Sequence, residues 1–279
     1  MEERKEMNIV DQALAHPIKY AIMLTKEVYS LNKSFFWGLS AIIVVLALLS
    51  EIPLLGLIAT VISGILMFSL FLFTGKVFYK AATMDMFVEE IESISVSKLW
   101  NNYWQPAFGA YLGWVVIVLG TLFLAGFMLA VTGQADALMT GDTAAENPMM
   151  LFSVMTIPML IVSLILYLVP LVFANTIRTD TFGDAFKSVF SLFKGDVWRR
   201  AFTGVYFKYM ALLGLVLIAF VIVMIMVSAL FVTLLGGIDP TMISIGILLM
   251  VIVMVVLQVI LNVFYAITAI IADRMTQDD

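Results

Sequence analysis

The chain divides at its charges. Cutting the sequence at every Asp, Glu, Lys and Arg leaves six uncharged runs of at least 17 residues, at 34–50, 52–75, 99–135, 147–177, 209–238 and 240–272. A hydrocarbon layer of about 30 Å needs roughly 20 apolar residues in helical form, and only a helix or a closed barrel satisfies every backbone N–H and C=O without water. Barrel strands would be segments of about ten residues alternating in polarity, whereas these runs are apolar at consecutive positions. The runs predict an all-α polytopic membrane protein with six transmembrane helices, at about 36–50, 53–74, 107–132, 149–174, 202–235 and 241–272, plus short interfacial amphipathic helices. Composition agrees, with 63% of residues apolar and 13% charged, against about 45–50% and about 25% in soluble domains.

The basic residues predict the orientation. With six spans, all fifteen Lys and Arg fall on the side that carries both termini. By the positive-inside rule that side is the cytoplasm. The opposite side holds Glu51, Asp136, Asp142, Glu146 and Asp239 and no base, so it carries the whole net charge of −5. The layout is then a cytoplasmic N-terminal amphipathic segment over 1–33, a membrane domain over 34–272 and a cytoplasmic tail over 273–279. The first 33 residues mix charges of both signs and lack an apolar core before a cleavage site, so they are expected to stay on the mature protein. The first hairpin is short, because Glu51-Ile52-Pro53 leaves almost no loop, and a re-entrant pair is the alternative to two full crossings.

Ser30-Leu31-Asn32-Lys33-Ser34-Phe35-Phe36-Trp37 and Ser191-Leu192-Phe193-Lys194-Gly195-Asp196-Val197-Trp198 share Ser-Leu-x-Lys-x-x-x-Trp just before spans one and five. A looser copy, Leu99-x-Asn101-x-x-Trp104, precedes span three. The pattern suggests three units, each an interfacial helix and a two-span hairpin, over 8–75, 84–175 and 180–272. An aromatic and basic belt at the interface would give the same residues without a repeat. Phe182, Phe186, Val189, Phe190, Phe193 and Val197 recur at helical spacing, opposed by Asp184, Lys187, Ser188, Ser191 and Lys194, and Thr181-x-x-Asp184 fits a capped start. This helix is expected to lie in the headgroup layer with its phenylalanines toward the acyl chains. Met84, Phe87, Val88, Ile91 and Ile94 form a weaker stripe opposed by Asp85, Glu89, Glu90 and Glu92.

Pro170-Leu-Val-Phe-Ala-Asn175 followed by Asp184-Ala-Phe-Lys-Ser-Val-Phe-Ser-Leu-Phe-Lys-Gly-Asp-Val-Trp-Arg199 resembles the most recognisable segment of a family of bacterial six-span inner-membrane proteins. That family is related to the membrane domain of some glycerophosphodiester phosphodiesterases, and most of its members are uncharacterised. The resemblance implies a six-span fold in a bacterial inner membrane and says little about chemistry. The phosphodiesterase fusions carry their chemistry in a separate barrel of about 250 residues, for which this chain has no room.

The remaining candidate sites have simpler readings. No cysteine is present and His16 is the only histidine, which excludes disulfides, thiolate or multi-His metal centres and a Cys nucleophile. No metal or other cofactor is expected. His16 precedes Pro17 at a place suited to a helix start, and reads as an ordinary loop residue before a pH sensor. Met139, Met149, Met150, Met155 and Met159 could favour Cu(I), but 19 methionines in the chain explain them by composition. Asp85, Glu89, Glu90 and Glu92 are expected to pair with Lys76, Lys80, Arg199 or Arg200 rather than hold a metal. Gln258 and Asn262 share a face of span six, with Tyr265 close by; they read as interhelical hydrogen-bonding groups or as the lining of a solute path. Pro158 and Pro170 are expected to break span four, and Gly109, Gly113 and Gly120 to give span three a face for close helix approach.

No charged residue falls near the middle of any span, which disfavours proton- or ion-coupled transport. Lys33, Lys76, Lys80, Lys194, Arg199, Arg200 and Lys208 sit at the inner boundary, where they are expected to reach anionic headgroups. The sequence thus predicts a non-enzymatic envelope scaffold, accessory or lipid-organising protein, with membrane lipids and a further membrane protein as partners and no nucleic acid. The alternative is a permease for a neutral or amphipathic solute.

Overall fold

The computed structural model describes residues 9–131, 148–235 and 240–277. Among them every regular element is helical. The order is α1 (Ile9–Ala15), α2 (Pro17–Leu31), α3 (Lys33–Leu49), α4 (Leu55–Lys80), α5 (Met84–Glu92), α6 (Val96–Val131), α7 (Pro148–Ile177), α8 (Phe182–Val189), a 3₁₀ turn (Phe190–Phe193), α9 (Gly195–Ala201), α10 (Gly204–Leu235) and α11 (Pro240–Met275).

Five helices are long and apolar enough to cross a membrane, namely α4, α6, α7, α10 and α11. The expected first span is α3, whose 17 residues reach only about 25 Å at 1.5 Å per residue. It passes the same test only together with α2, from which it is bent by 90°. Asn32 makes this corner. Its Oδ1 accepts from the Phe35 amide at 3.2 Å, capping α3, while its Nδ2 donates to the carbonyls of Glu92 (3.0 Å) and Ile94 (3.2 Å). The corner is therefore tied to the end of α5. At the other end of α3 the chain reverses within a few residues, and Gly56 permits it, because a Cβ there would lie 2.3 Å from the Ser50 carbonyl oxygen.

Span four departs from expectation. α7 runs as one helix through both Pro158 and Pro170, so the missing hydrogen bonds do not divide it. The glycine face of span three is also used differently. A Cβ on Gly109 would lie 2.2 Å from the Phe182 carbonyl oxygen, and one on Gly113 would meet Val189 at 2.9 Å, whereas Gly120 faces open space. The close neighbour is thus the short helix α8, not another span. As expected, the Thr181 hydroxyl caps α8, accepting from the Asp184 amide at 3.2 Å.

The core lies toward one end. Half of the apolar stretch of α4 is buried, against 11% in α6 and 6% in α10. Buried residues concentrate in α4 from Ile65 to Phe78, in α7 from Leu168 to Ile177 and in α11 from Val255 to Asp273. Every Lys and Arg among the described residues lies at this end, on the starts of α3, α6 and α10, the ends of α4, α7 and α11, or the short helices beside them. Away from it, Val118, Leu122, Phe123, Ile218, Ile222 and Met226 are exposed, as lipid-facing side chains of a helix that is apolar all round.

Each short amphipathic segment precedes a pair of longer helices: α2 before α3 and α4, α5 before α6 and α7, α8 and α9 before α10 and α11. The tryptophans of the shared motif are placed differently, however. Trp198 Nε1 donates to the Leu192 carbonyl at 2.7 Å, whereas Trp37 is exposed beside Tyr29.

Candidate functional site

The charged end is held by ion pairs between helix termini. Asp273, in the last turn of α11, has a carboxylate only 1% exposed. It receives Arg178 from the end of α7, Arg200 from α9 at 2.7 Å and the Gln277 side-chain amide at 2.7 Å. A buried carboxylate is tolerated because cationic donors replace its hydration. The Arg178 and Arg274 guanidiniums lie 5.1 and 5.6 Å from the centre of the Tyr79 ring, within the range of cation–π attraction. A second tie joins α4 to the loop after α7: Lys76 Nζ donates to Asp180 Oδ1 and to the Thr179 carbonyl, both at 2.5 Å. The hydrogen bond from Lys76 holds the Asp180 carboxyl below its ordinary value.

Beside this network lies a polar pocket of about 310 Å³. Asn175 contributes from the end of α7, Asp184, Lys187 and Ser188 from α8, Ser191 from the 3₁₀ turn, and Lys194 and Asp196 from the start of α9. The floor is hydrogen-bonded. Asn175 Nδ2 donates to Ser191 Oγ at 3.1 Å, and Ser188 Oγ donates to Thr176 Oγ1 at 2.8 Å, which donates in turn to the Val172 carbonyl at 3.0 Å. The rim carries two cations and two anions. Among the described residues, Lys187, Lys194, Asp184 and Asp196 make no ion pair. All seven lining residues belong to the two strings quoted above, Pro170 to Asn175 and Asp184 to Arg199, which the fold brings together.

Of the seven bases expected at the headgroups, Lys33, Lys80, Lys194, Arg199 and Lys208 are exposed. Two are engaged elsewhere. Lys76 is 8% exposed and bound to Asp180, and the Arg200 side chain is mostly buried against Asp273. The acidic stripe of α5 does not find the expected partners either. Glu90 pairs with Lys98 at 3.1 Å, because Lys76 and Arg200 are turned inward. Asp85, Glu89 and Glu92 are exposed.

On α11, Gln258 is exposed, whereas Asn262 and Tyr265 are half-buried. The Asn262 Oδ1 atom is buried without a hydrogen-bond partner among the described residues. The cavity beside this stretch, about 350 Å³ between α2, α10 and α11, is apolar; Ile260, Leu261 and Phe264 line it, and Gln258 and Asn262 do not. His16 is exposed, its carbonyl accepting from the Tyr20 amide at 2.9 Å. Met159 is exposed, Met139 lies outside the described residues, and of Met149, Met150 and Met155 only the helical backbone is described.

Fold and charge distribution together define an all-α polytopic membrane protein with one charged end. No known protein family, curated protein or solved structure matches this chain.

Proposed function

We propose that the chain is a non-enzymatic, lipid-organising component of a bacterial inner membrane, distantly akin to the six-span family it resembles. In this reading the charged end and both termini are cytoplasmic, and accessory contact with another membrane protein is part of the role. The observation that carries it is the belt of short helices α2, α5, α8 and α9 around the charged end, with Lys33, Lys80, Lys194, Arg199 and Lys208 exposed. Juxtamembrane cations attract anionic headgroups at about 1 kcal/mol each near the surface. The non-enzymatic reading is supported by how the inner charges are used: Lys76, Arg178, Arg200 and Asp273 join helices to one another.

The test is lipid retention. Protein moved from native membranes into mild detergent should hold anionic phospholipids, counted by native mass spectrometry. A variant with Lys33, Lys80, Arg199 and Lys208 all replaced by Gln should lose them while keeping its helical circular dichroism. Retention that is independent of those four residues, or a wild-type protein that keeps no lipid, would refute the proposal.

One observation favours the permease instead, the unpartnered Asn262 Oδ1. It predicts that proteoliposomes leak a neutral solute such as glycerol faster than empty vesicles, and that Asn262→Leu abolishes the leak. The apolar lining of the adjacent cavity weighs against that result.

A further inference from the structure

We infer that the polar pocket between α7, α8 and α9 binds a ligand carrying both a phosphate and a primary ammonium, as the headgroup of an aminophospholipid does. The inference rests on the lipid-organising reading and names the lipid class for one site. Three features lead to it. The rim balances two cations, Lys187 and Lys194, against two anions, Asp184 and Asp196, and none of the four makes an ion pair among the described residues. Four charges around one opening are suited to a dipolar guest: the lysines meet a phosphate, the carboxylates an ammonium. Asp184 Oδ2 also accepts from the Thr181 hydroxyl at 2.8 Å, but neither carboxylate has a cation on it; a simple anion would stand beside two negative charges, and a metal cation would face two ammonium groups.

The second feature is the floor. Ser191 is buried and already accepts from Asn175, so the base of the pocket is fixed before any ligand arrives. Its volume of about 310 Å³ lies at the small end of ligand sites, roughly 300–1,000 Å³, a size for a headgroup rather than a whole lipid. The third feature is depth. Asn175 stands at the last turns of α7, where the apolar run ends at Ile177, and α8 with the 3₁₀ turn after it carries Phe182, Phe186 and Phe190 in ring contact along one side. The pocket's polar groups occupy the opposite side of this amphipathic helix from the phenylalanine row, so a helix lying in the interface holds the row among acyl chains and the pocket at headgroup level.

The test uses full-length protein in detergent and three lipids with identical chains: phosphatidylethanolamine, its trimethylated analogue phosphatidylcholine, and phosphatidylglycerol. Native mass spectrometry is expected to show phosphatidylethanolamine retained about tenfold over phosphatidylglycerol, with phosphatidylcholine between them because its ammonium cannot donate hydrogen bonds. Asp184→Asn with Asp196→Asn should bring phosphatidylethanolamine down to the phosphatidylglycerol level; Asn at 184 keeps an acceptor for the Thr181 cap. Lys187→Gln with Lys194→Gln should weaken all three. Glycerophosphoethanolamine, the soluble headgroup, should displace the bound lipid.

An ethanolamine-to-glycerol ratio unchanged in the Asp variant, with thermal unfolding also unchanged, overturns the inference. Binding of the soluble headgroup by protein that holds no phosphatidylethanolamine overturns the lipid assignment and gives the pocket to a water-soluble ligand of the same chemistry. Wild-type protein that keeps no anionic lipid, or keeps it independently of the belt residues, marks failure of the broader reading. Silent pocket variants in a protein that still holds those lipids mark failure of this inference alone.

Discussion

Arg200 Nη1 meets Asp273 Oδ1 at 2.7 Å, across 73 residues of chain, with both side chains mostly buried. The pair joins α9, which opens the last helical hairpin, to the final turn of α11, which closes it. Asp273 also receives Arg178, so a single carboxylate fixes three helix ends. Removing one partner from such a site leaves the others charged and desolvated, at a cost of about 3–5 kcal/mol. Asp273→Asn is expected to lower the thermal unfolding midpoint strongly in detergent. Asp278→Asn, on an acid in the same tail, is the control and should leave it unchanged.

The Lys76–Asp180 tie should respond to acid in a defined direction. Asp180 is held below its ordinary value of 3.8 by the hydrogen bond from Lys76. A depressed carboxyl contributes stability that is fully present above its unfolded value and is lost as pH falls through the lower, folded one. With the Asp180 side chain 82% exposed, the effect belongs to the loop and not to global stability. Amide hydrogen exchange of the segment after α7, corrected for intrinsic rates, should be flat from neutral pH down to about 4 and quicken only below that. Asp180→Asn should exchange fast throughout.

The long helices were legible because lipid imposes one demand on many consecutive residues. Charge-free runs place α4, α6, α7, α10 and α11 within a few residues, except where a helix continues past the apolar stretch, as α6 does back to Val96 and α4 on to Lys80. The corner at Asn32 was not legible, since its partners are backbone carbonyls 59 to 62 residues away. Nor was Asp273, which looks like any charge at the end of a run. Its contacts with Arg178 and Arg200 depend on how α7, α9 and α11 converge, and spacing along one helix carries no trace of that. The signal available was Asp273 itself, placed directly after a 33-residue uncharged run and beside Arg274. For the pocket, the sequence supplied both strings of residues but not their meeting, which requires the end of α7 to turn back against α8.

The glycines of α6 separate packing from composition. Gly109→Leu forces bulk against the Phe182 backbone, where a Cβ alone would stand 2.2 Å from the carbonyl oxygen; overpacking of this kind costs about 1–3 kcal/mol. It should detach α8, seen as faster proteolysis between 180 and 200 and as weakened phosphatidylethanolamine retention. Gly120→Ala meets nothing within 4 Å and removes a helix-interior glycine, so its unfolding midpoint should match or slightly exceed the wild type. Equal effects from the two substitutions would show that α8 does not rest on α6.

Orientation can be read directly, because the chain has no cysteine and a single introduced thiol is unambiguous. Gly141→Cys lies in sequence between the third and fourth uncharged runs, in a stretch that has no Lys or Arg; Lys194→Cys lies at the charged end. An impermeant maleimide applied to spheroplasts should label the first and spare the second until the membrane is permeabilised. Electrostatics sets the expected direction: the membrane potential and the anionic cytoplasmic leaflet both favour keeping Lys and Arg inside, and every base among the described residues shares one end of the bundle. Labelling at 194 alone would invert the molecule. The belt and the pocket would then face the outer leaflet, and their lipids would have to be sought there.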